Sequence, residues 1–241
     1  MKRGSSNLQS FKKSVGYTPK ILSIVPMRGG SKGIPKKNIK IINGKPLCYY
    51  AISASLNCEL IDETWISTDD DEIEKVCKSL DPKIKIHRRD PSTGTDSASS
   101  SSVILDFINN HNNADIMVLI QVTNPFTKAK DLTNAINKYL SHDYDLLIGT
   151  VDNHSFIWRH KIPNSKYIQL LNNKVRMRQK APIEYQEDGS YYIFSKEKFI
   201  KNYNMIPFTK VRQNTNTNNF HIEIDDPIGF EIVENLNKFL L

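Results

Sequence analysis

From residue 21 to about residue 151, short apolar runs alternate with amphipathic stretches, and this alternation restricts the fold more than any single motif does. ILSIVPM (21–27), ETWISTD (63–69), KIKIHRR (83–89), IMVLIQVT (116–123) and DLLIGTV (145–151) read as strands. Between them, PLCYYAISASLN (46–57), DEIEKVCKSL (71–80), SSSSVILDFINNH (99–111) and KDLTNAINKYL (130–140) carry helical spacing. Strand–helix alternation of this kind predicts the α/β class: a mostly parallel sheet with helices on both faces. Ligands of such sheets sit at the carboxyl ends of the strands.

The pattern breaks near residue 152. The segment from 152 to 187 lacks a helical period and reads as an inserted arm of short strands. GSYYIF (189–194) returns to the sheet, KEKFIKNY (196–203) is a helix, and QNTNTNN (213–219) reads as a polar loop that does not pack. FHIEID (220–225) reads as a strand and PIGFEIVENLNKFL (227–240) as a closing helix. The expected organisation is a disordered basic tail over 1–20 and one domain over 21–241 that includes the arm.

Charge bears on the partner. The net charge is +7, yet residues 1–20 hold five basic side chains and no acid, which leaves 28 basic against 26 acidic residues in the remainder. A nearly balanced body with local excess favours a confined anionic ligand over a long polyanion, so neither nucleic acid nor membrane is the expected partner. No apolar run approaches the roughly 20 residues of a membrane span, and the start of the chain lacks the apolar core of a secretory signal. A cytoplasmic protein is the expectation. Cys48, Cys58 and Cys77 have no paired spacing and read as small core residues in a reducing compartment.

Three motifs carry chemistry. In VPMRGGSKGIPKKNIK (25–40), Arg28, Lys32, Lys36, Lys37 and Lys40 crowd a glycine-rich loop directly after the first strand. It is neither GxGxxG nor a Walker A loop, but glycines admit backbone N–H groups close to phosphates while the cations neutralise them. In RDPSTGTDSASS (89–100), six hydroxyls accompany Arg89 before a helix. One is an N-cap; together they read equally well as a pocket that hydrogen-bonds a polar ring such as a base. In HIEIDDP (221–227), Glu223 and Asp225 fall on one face of the expected strand, a carboxylate pair suited to magnesium with phosphate oxygens. Asp226, before Pro227, reads as an N-cap instead. The three together point to nucleotidyl transfer from a nucleoside triphosphate, without fixing base or acceptor.

MRGGSKGIPKKNI resembles the opening signature of the acylneuraminate cytidylyltransferases, the CMP-sialic acid or CMP-nonulosonate synthetases. The likeness continues through STD (67–69), TDSASS (95–100), IQVTNP (120–125), RQ (178–179), DGSYYI (188–193) and IEID (222–225). The resemblance implies a Rossmann-like nucleotidyltransferase domain, an inserted dimerisation arm, a homodimer and a magnesium-dependent reaction. That reaction transfers CMP from CTP to the anomeric hydroxyl of a nonulosonic acid and releases pyrophosphate. Carried over by position, Arg28, Lys32 and Lys37 hold the triphosphate, with Gly29, Gly30, Ser31 and Asn38 beside the nucleotide. Arg89, Ala98 and Ser100 line the cytosine pocket. Gln121 faces the sugar, Arg178 and Gln179 meet it from the arm, and Glu223 with Asp225 binds Mg²⁺. The chain departs from the family pattern at Glu223, Thr127, Gln186 and Asp188, and the last three are expected near the acceptor. That combination favours a legionaminic- or pseudaminic-type sugar beside a sialic one. The alternatives are a CMP-KDO synthetase or another sugar nucleotidyltransferase, and, outside enzymes, a basic RNA- or membrane-binding module resting on the tail.

Overall fold

The computed structural model describes residues 16–31, 33–94, 99–111, 113–153, 158–160, 168–170, 183–202, 209–216 and 221–236. Seven strands form one sheet: β1 (Ile21–Met27), β2 (Glu63–Thr68), β3 (Lys85–Arg88), β4 (Ile116–Ile120), β5 (Leu146–Asn153), β6 (Glu184–Ser195) and β7 (Val211–Thr215). Their spatial order is β3-β2-β1-β4-β6-β5-β7. β1 pairs in parallel with β2 and β4, β2 with β3, and β5 with β7, while β6 runs antiparallel to both β4 and β5. The direction of strand succession reverses beside β1, and such a switch point opens a crevice at the carboxyl ends of the strands.

Helices cover both faces, as the alternation predicts. They are α1 (Cys48–Leu56), α2 (Asp71–Leu80), α3 (Ser100–Asn110), α4 (Ala129–Leu140), α5 (Lys196–Asn202) and α6 (Pro227–Asn235). Side chains alternate along β1, so Ile21 and Val25 join one core with α1, α2, α4 and α6, whereas Leu22 and Ile24 join another with α3 and α5. The first core includes Ile73, Ile136 and Phe230; the second includes Phe107, Phe194 and Phe199. Ser23 is the polar member of the first face, and it is satisfied by Ser55 at 2.6 Å, which also meets Thr64 at 2.8 Å. All three cysteines are buried and free, in keeping with core packing. Among the described residues no helix is long and apolar enough to cross a membrane.

Two sequence expectations are corrected. QNTNTNN does not remain a loop throughout: Val211–Thr215 pairs along β5 from Leu146 to Thr150, and Asn216 is buried. Asn214 lies in that strand and Asn216 just beyond it, and the amides of both find side-chain partners, described below. Conversely, residues 221–224 are not part of any sheet. Among the described residues the segment's backbone-to-backbone tie runs from Ile224 N to Thr123 O at 2.8 Å. Much of the expected 152–187 arm and most of the expected tail lie outside the described residues. Within the former, Trp158–His160 pairs antiparallel with Ile168–Leu170, and Glu184–Glu187 extends β6 along β5.

Candidate active site

The chain leaves β1 at Met27 and turns through the basic loop. Gly29 N donates to Asp69 Oδ1 at 3.2 Å, which ties the loop to the end of β2. A side chain at Gly29 would overlap the Asp70 carboxylate, and one at Gly33 would come within 2.6 Å of Asp225 O. These two glycines therefore let the loop lie flat against its neighbours. Lys36 adopts a left-handed conformation (φ 51°) and starts a 3₁₀ turn, Lys37–Ile39. Asn38, buried in that turn, donates from Nδ2 to Arg28 O at 3.0 Å and so fixes the backbone that carries Arg28.

A cavity of about 320 Å³ opens at the carboxyl ends of β1 and β4. Arg28, Ser31, Lys37 and Asn38 line it from the loop, and Arg89, Ser100 and Gln121 line it from the opposite side. Seven of the residues singled out in the sequence thus share one crevice. Gly29 and Gly30 belong to the same loop, and the space beside the Gly30 Cα is open: a Cβ added there would meet no atom within 4 Å beyond its chain neighbours. Lys32, Ala98, Arg178 and Gln179 lie outside the described residues. A larger cavity of about 450 Å³ sits against Asp115, Ser195 and Lys198 at the other end of the sheet. Asp143 and Lys198 on its wall pair at 2.7 Å, and none of the motif residues reaches it.

Arg89 is 7% exposed. Its Nη2 donates to Ser67 O at 2.6 Å and its Nη1 to Thr93 O at 3.4 Å. Burial lowers its pKa; Asp69 and Asp106 oppose that shift and Arg28 adds to it. Two guanidinium groups close enough to repel one another make the crevice favourable to an anion. Among the described residues, Arg89 Nε and Ser67 Oγ are buried without a hydrogen-bond partner, which leaves polar capacity for a ligand.

Lys37 links the crevice to the acidic segment. Its Nζ donates to Ile224 O at 2.8 Å and meets Asp225 Oδ1 at 3.3 Å. Glu223 receives Thr123 Oγ1 at 3.4 Å, and its carboxylate rests against Gly189. Burial raises the Glu223 pKa and Asp225 raises it further, whereas His221 and Thr123 lower it. A Glu223 charge disfavoured by burial and by the neighbouring Asp225 is one that a divalent cation would relieve. Among the described residues no group of three or more acid, histidine or cysteine side chains gathers around one point. A carboxylate pair completed by phosphate oxygens and water is the arrangement magnesium accepts, so these residues fit that ion. Asp226, as expected, caps α6 by accepting from Gly229 N at 2.7 Å.

The structure also places the departures from the family pattern. Thr127 is buried, donates to Asn124 O at 3.3 Å, and lines a separate cavity between α1 and α4. Gln186 bridges Asn153 and His221, each within 3.1 Å. Asp188 is buried beneath the turn at Gly189; burial raises its pKa while hydrogen bonds from Ser190 and Asn216 lower it. Thr123, Ser67 and Asn124 support the site without having been assigned roles from their chemistry. Only their places in STD and IQVTNP marked them.

The sequence profile of the Cytidylyltransferase family matches residues 22–239. The chain belongs to that family. N-acylneuraminate cytidylyltransferase A of Danio rerio is 36% identical over 181 residues, which cover 73% of this chain and 42% of that protein. Pseudaminic acid cytidylyltransferase of Campylobacter jejuni is 32% identical over 162 residues, 66% of this chain and 67% of that one. The chain spans less than half the length of the N-acylneuraminate cytidylyltransferases it matches. In fold, this cytidylyltransferase chain is similar to CMP:2-keto-3-deoxy-manno-octonic acid synthetase complexed with CTP, with a TM-score of 0.69 at 18% identity, covering 92% of this chain and all of that one. A 4-diphosphocytidyl-2C-methyl-D-erythritol synthase from Anaerococcus prevotii gives 0.68 at 13% identity, covering 91% and 96%.

Proposed function

We propose that the protein transfers CMP from CTP to the anomeric hydroxyl of a nonulosonic acid and releases pyrophosphate. The observation that carries this reading is the meeting of Arg28, Lys37, Arg89 and Gln121 at one crevice, with Glu223 and Asp225 beside it. Arg28, Ser31 and Lys37 bind the triphosphate, and Gly29, Gly30 and Lys32 belong to the same cradle. Asn38 holds the cradle's shape through Arg28 O. Arg89, with Ser100 and Ala98, recognises the cytosine, and Gln121 orients the acceptor, assisted by Arg178 and Gln179.

Glu223 and Asp225 would hold Mg²⁺, which when bound supplies positive charge to phosphate oxygens and lowers the pKa of the acceptor hydroxyl. The acceptor oxygen attacks the α-phosphorus as its hydroxyl proton passes to solvent, the bond from the α-phosphorus to the oxygen bridging to the β-phosphate breaks, and that electron pair leaves with pyrophosphate. The protein's work is alignment and charge neutralisation rather than covalent catalysis. The relatives named for N-acylneuraminate and pseudaminic acid support a nonulosonate over KDO as acceptor. A homodimer with cytoplasmic residence accompanies this reading, and sedimentation of the purified protein tests the first part.

The decisive experiment incubates the protein with CTP, Mg²⁺ and N-acetylneuraminate, legionaminate, pseudaminate or KDO, and follows pyrophosphate. Release with a nonulosonate is expected and should disappear with EDTA. Release with KDO alone selects the alternative acceptor, and no release with any sugar refutes the reading.

A further inference from the structure

Asp188 lies in β6 with 1% of its surface exposed. Its Oδ1 accepts from Ser190 N at 3.0 Å and from Ser190 Oγ, and its Oδ2 accepts from Asn216 Nδ2. Asn216 Oδ1 in turn accepts from Tyr191 Oη at 2.6 Å, and Tyr191 Oη accepts from Asn214 Nδ2 at 2.8 Å. An ionised carboxylate can only accept. Asn216 must therefore turn its nitrogen to Asp188 and its oxygen to Tyr191, which donates. The acid thus sets the direction of a chain of hydrogen bonds that joins β6 to Asn214 in β7 and to Asn216 just beyond it.

The backbone of the same turn touches the candidate site from two sides. Asp188 O accepts from Asn124 Nδ2 at 2.6 Å, and Ser190 O accepts from Gln121 N at 2.9 Å. These bonds hold the 121–124 loop, which presents Gln121 to the crevice and binds the acidic segment through Thr123 O and Ile224 N. Gly189, between them, is the surface on which the Glu223 carboxylate rests. We propose that Asp188 is a positioning residue for the acceptor side of the site, acting through Ser190 and Asn216 on the β6 bulge that seats Gln121. The proposal rests on the cytidylyltransfer reading above and adds a residue that touches neither substrate.

The test is a polarity exchange. Asp188→Asn presents an amide nitrogen to the amide nitrogen of Asn216, and relieving that clash costs Tyr191 its acceptor. With whichever nonulosonate the wild type uses, D188N should raise the acceptor KM or lower kcat on the order of tenfold, the scale of one mis-satisfied buried bond. Its KM for CTP should stay within about twofold. D188N/N216D restores the pattern, because the new carboxylate at 216 accepts from the new amide at 188 and from Tyr191. It should return the constants to within about threefold. If D188N does not fold, Ser190→Ala takes its place with a smaller loss confined to the acceptor constants. The inference alone is overturned by wild-type constants in D188N or Ser190→Ala, by equal losses toward CTP and acceptor that follow a lowered Tm, or by a well-folded double variant without rescue. A wild type that releases no pyrophosphate overturns the cytidylyltransfer reading and this inference together.

Discussion

Replacing Gly189 with alanine tests how tightly the acidic segment is seated. Gly189 has φ 64°, and a Cβ there would lie 2.8 Å from Glu223 Oε1 and closer still to the other carboxylate atoms. The left-handed backbone alone costs an alanine about 1–2 kcal/mol. For a domain of this size that is a Tm lower by about 2–8 °C. The clash adds a second effect. The carboxylate is the far end of a rotatable side chain, so it moves aside by on the order of 1 Å instead of unfolding the turn, and a displacement of that size costs up to about a hundredfold in turnover. Pyrophosphate release measured against Mg²⁺ at saturating CTP should therefore show a raised Mg²⁺ requirement and a lowered kcat. G189A/E223D withdraws the carboxylate by one methylene and should recover part of the rate but none of the Tm loss. A G189A variant with wild-type Mg²⁺ dependence, or a double variant no faster than the single one, refutes the seating argument.

Three further outcomes are expected. Arg89→Lys cannot reach Ser67 O and Thr93 O with one ammonium, so it should raise KM for CTP on the order of tenfold to a hundredfold with kcat little changed; an unchanged KM removes Arg89 from nucleotide recognition. Burial pulls the Glu63 carboxyl upward, but hydrogen bonds from Lys20, Lys85 and Trp65 outweigh it and hold the pKa at about 2. Its contribution to stability is full above pH 4.5 and is lost as the pH falls from there toward 2, so acid unfolding of Glu63→Gln should be less steep in that window. His87 and His111, 3.1 Å apart through Nδ1 and Nε2, both have lowered pKa values, chiefly from burial. The unfolded chain then binds protons first as pH falls through about 6.5, so stability declines as the pH drops below that value. His111→Gln should flatten that slope in urea titrations; an unaltered slope shows that His111 does not titrate there.

The elements legible in the sequence are those whose burial is two-sided or helical. β4 is an uninterrupted apolar run and β1 is broken only by Ser23 and Pro26, and α2 and α4 carry clear apolar stripes, so the sheet's centre and its helical cover follow from spacing alone. β7 is different. VRQNT has no apolar period because it runs along the sheet edge and the amides of Asn214 and Asn216 are satisfied by Tyr191 and Asp188. Partners so distant in sequence leave no local trace. The acidic segment misled in the opposite direction: HIEID alternates as a strand does, yet among the described residues its backbone meets Thr123 and the Lys37 ammonium rather than a neighbouring strand. For the site, charge and glycine content in the loop after β1 were enough to mark it as the candidate crevice wall at a strand end. The supporting contacts of Ser67, Thr123 and Asn124 arise from strand order, which no short window contains.

Because residues 221–224 stand outside the ladder, they are exempt from the period-two rule that binds every strand beside them. A single-residue insertion in β4 would turn all its side chains to the wrong face. In the acidic segment the same insertion shifts only the reach of two carboxylates, with Thr123 and Lys37 as fixed posts on either side. The two carboxylates can thus be lengthened, shortened or re-spaced while the hydrophobic layers stay in register.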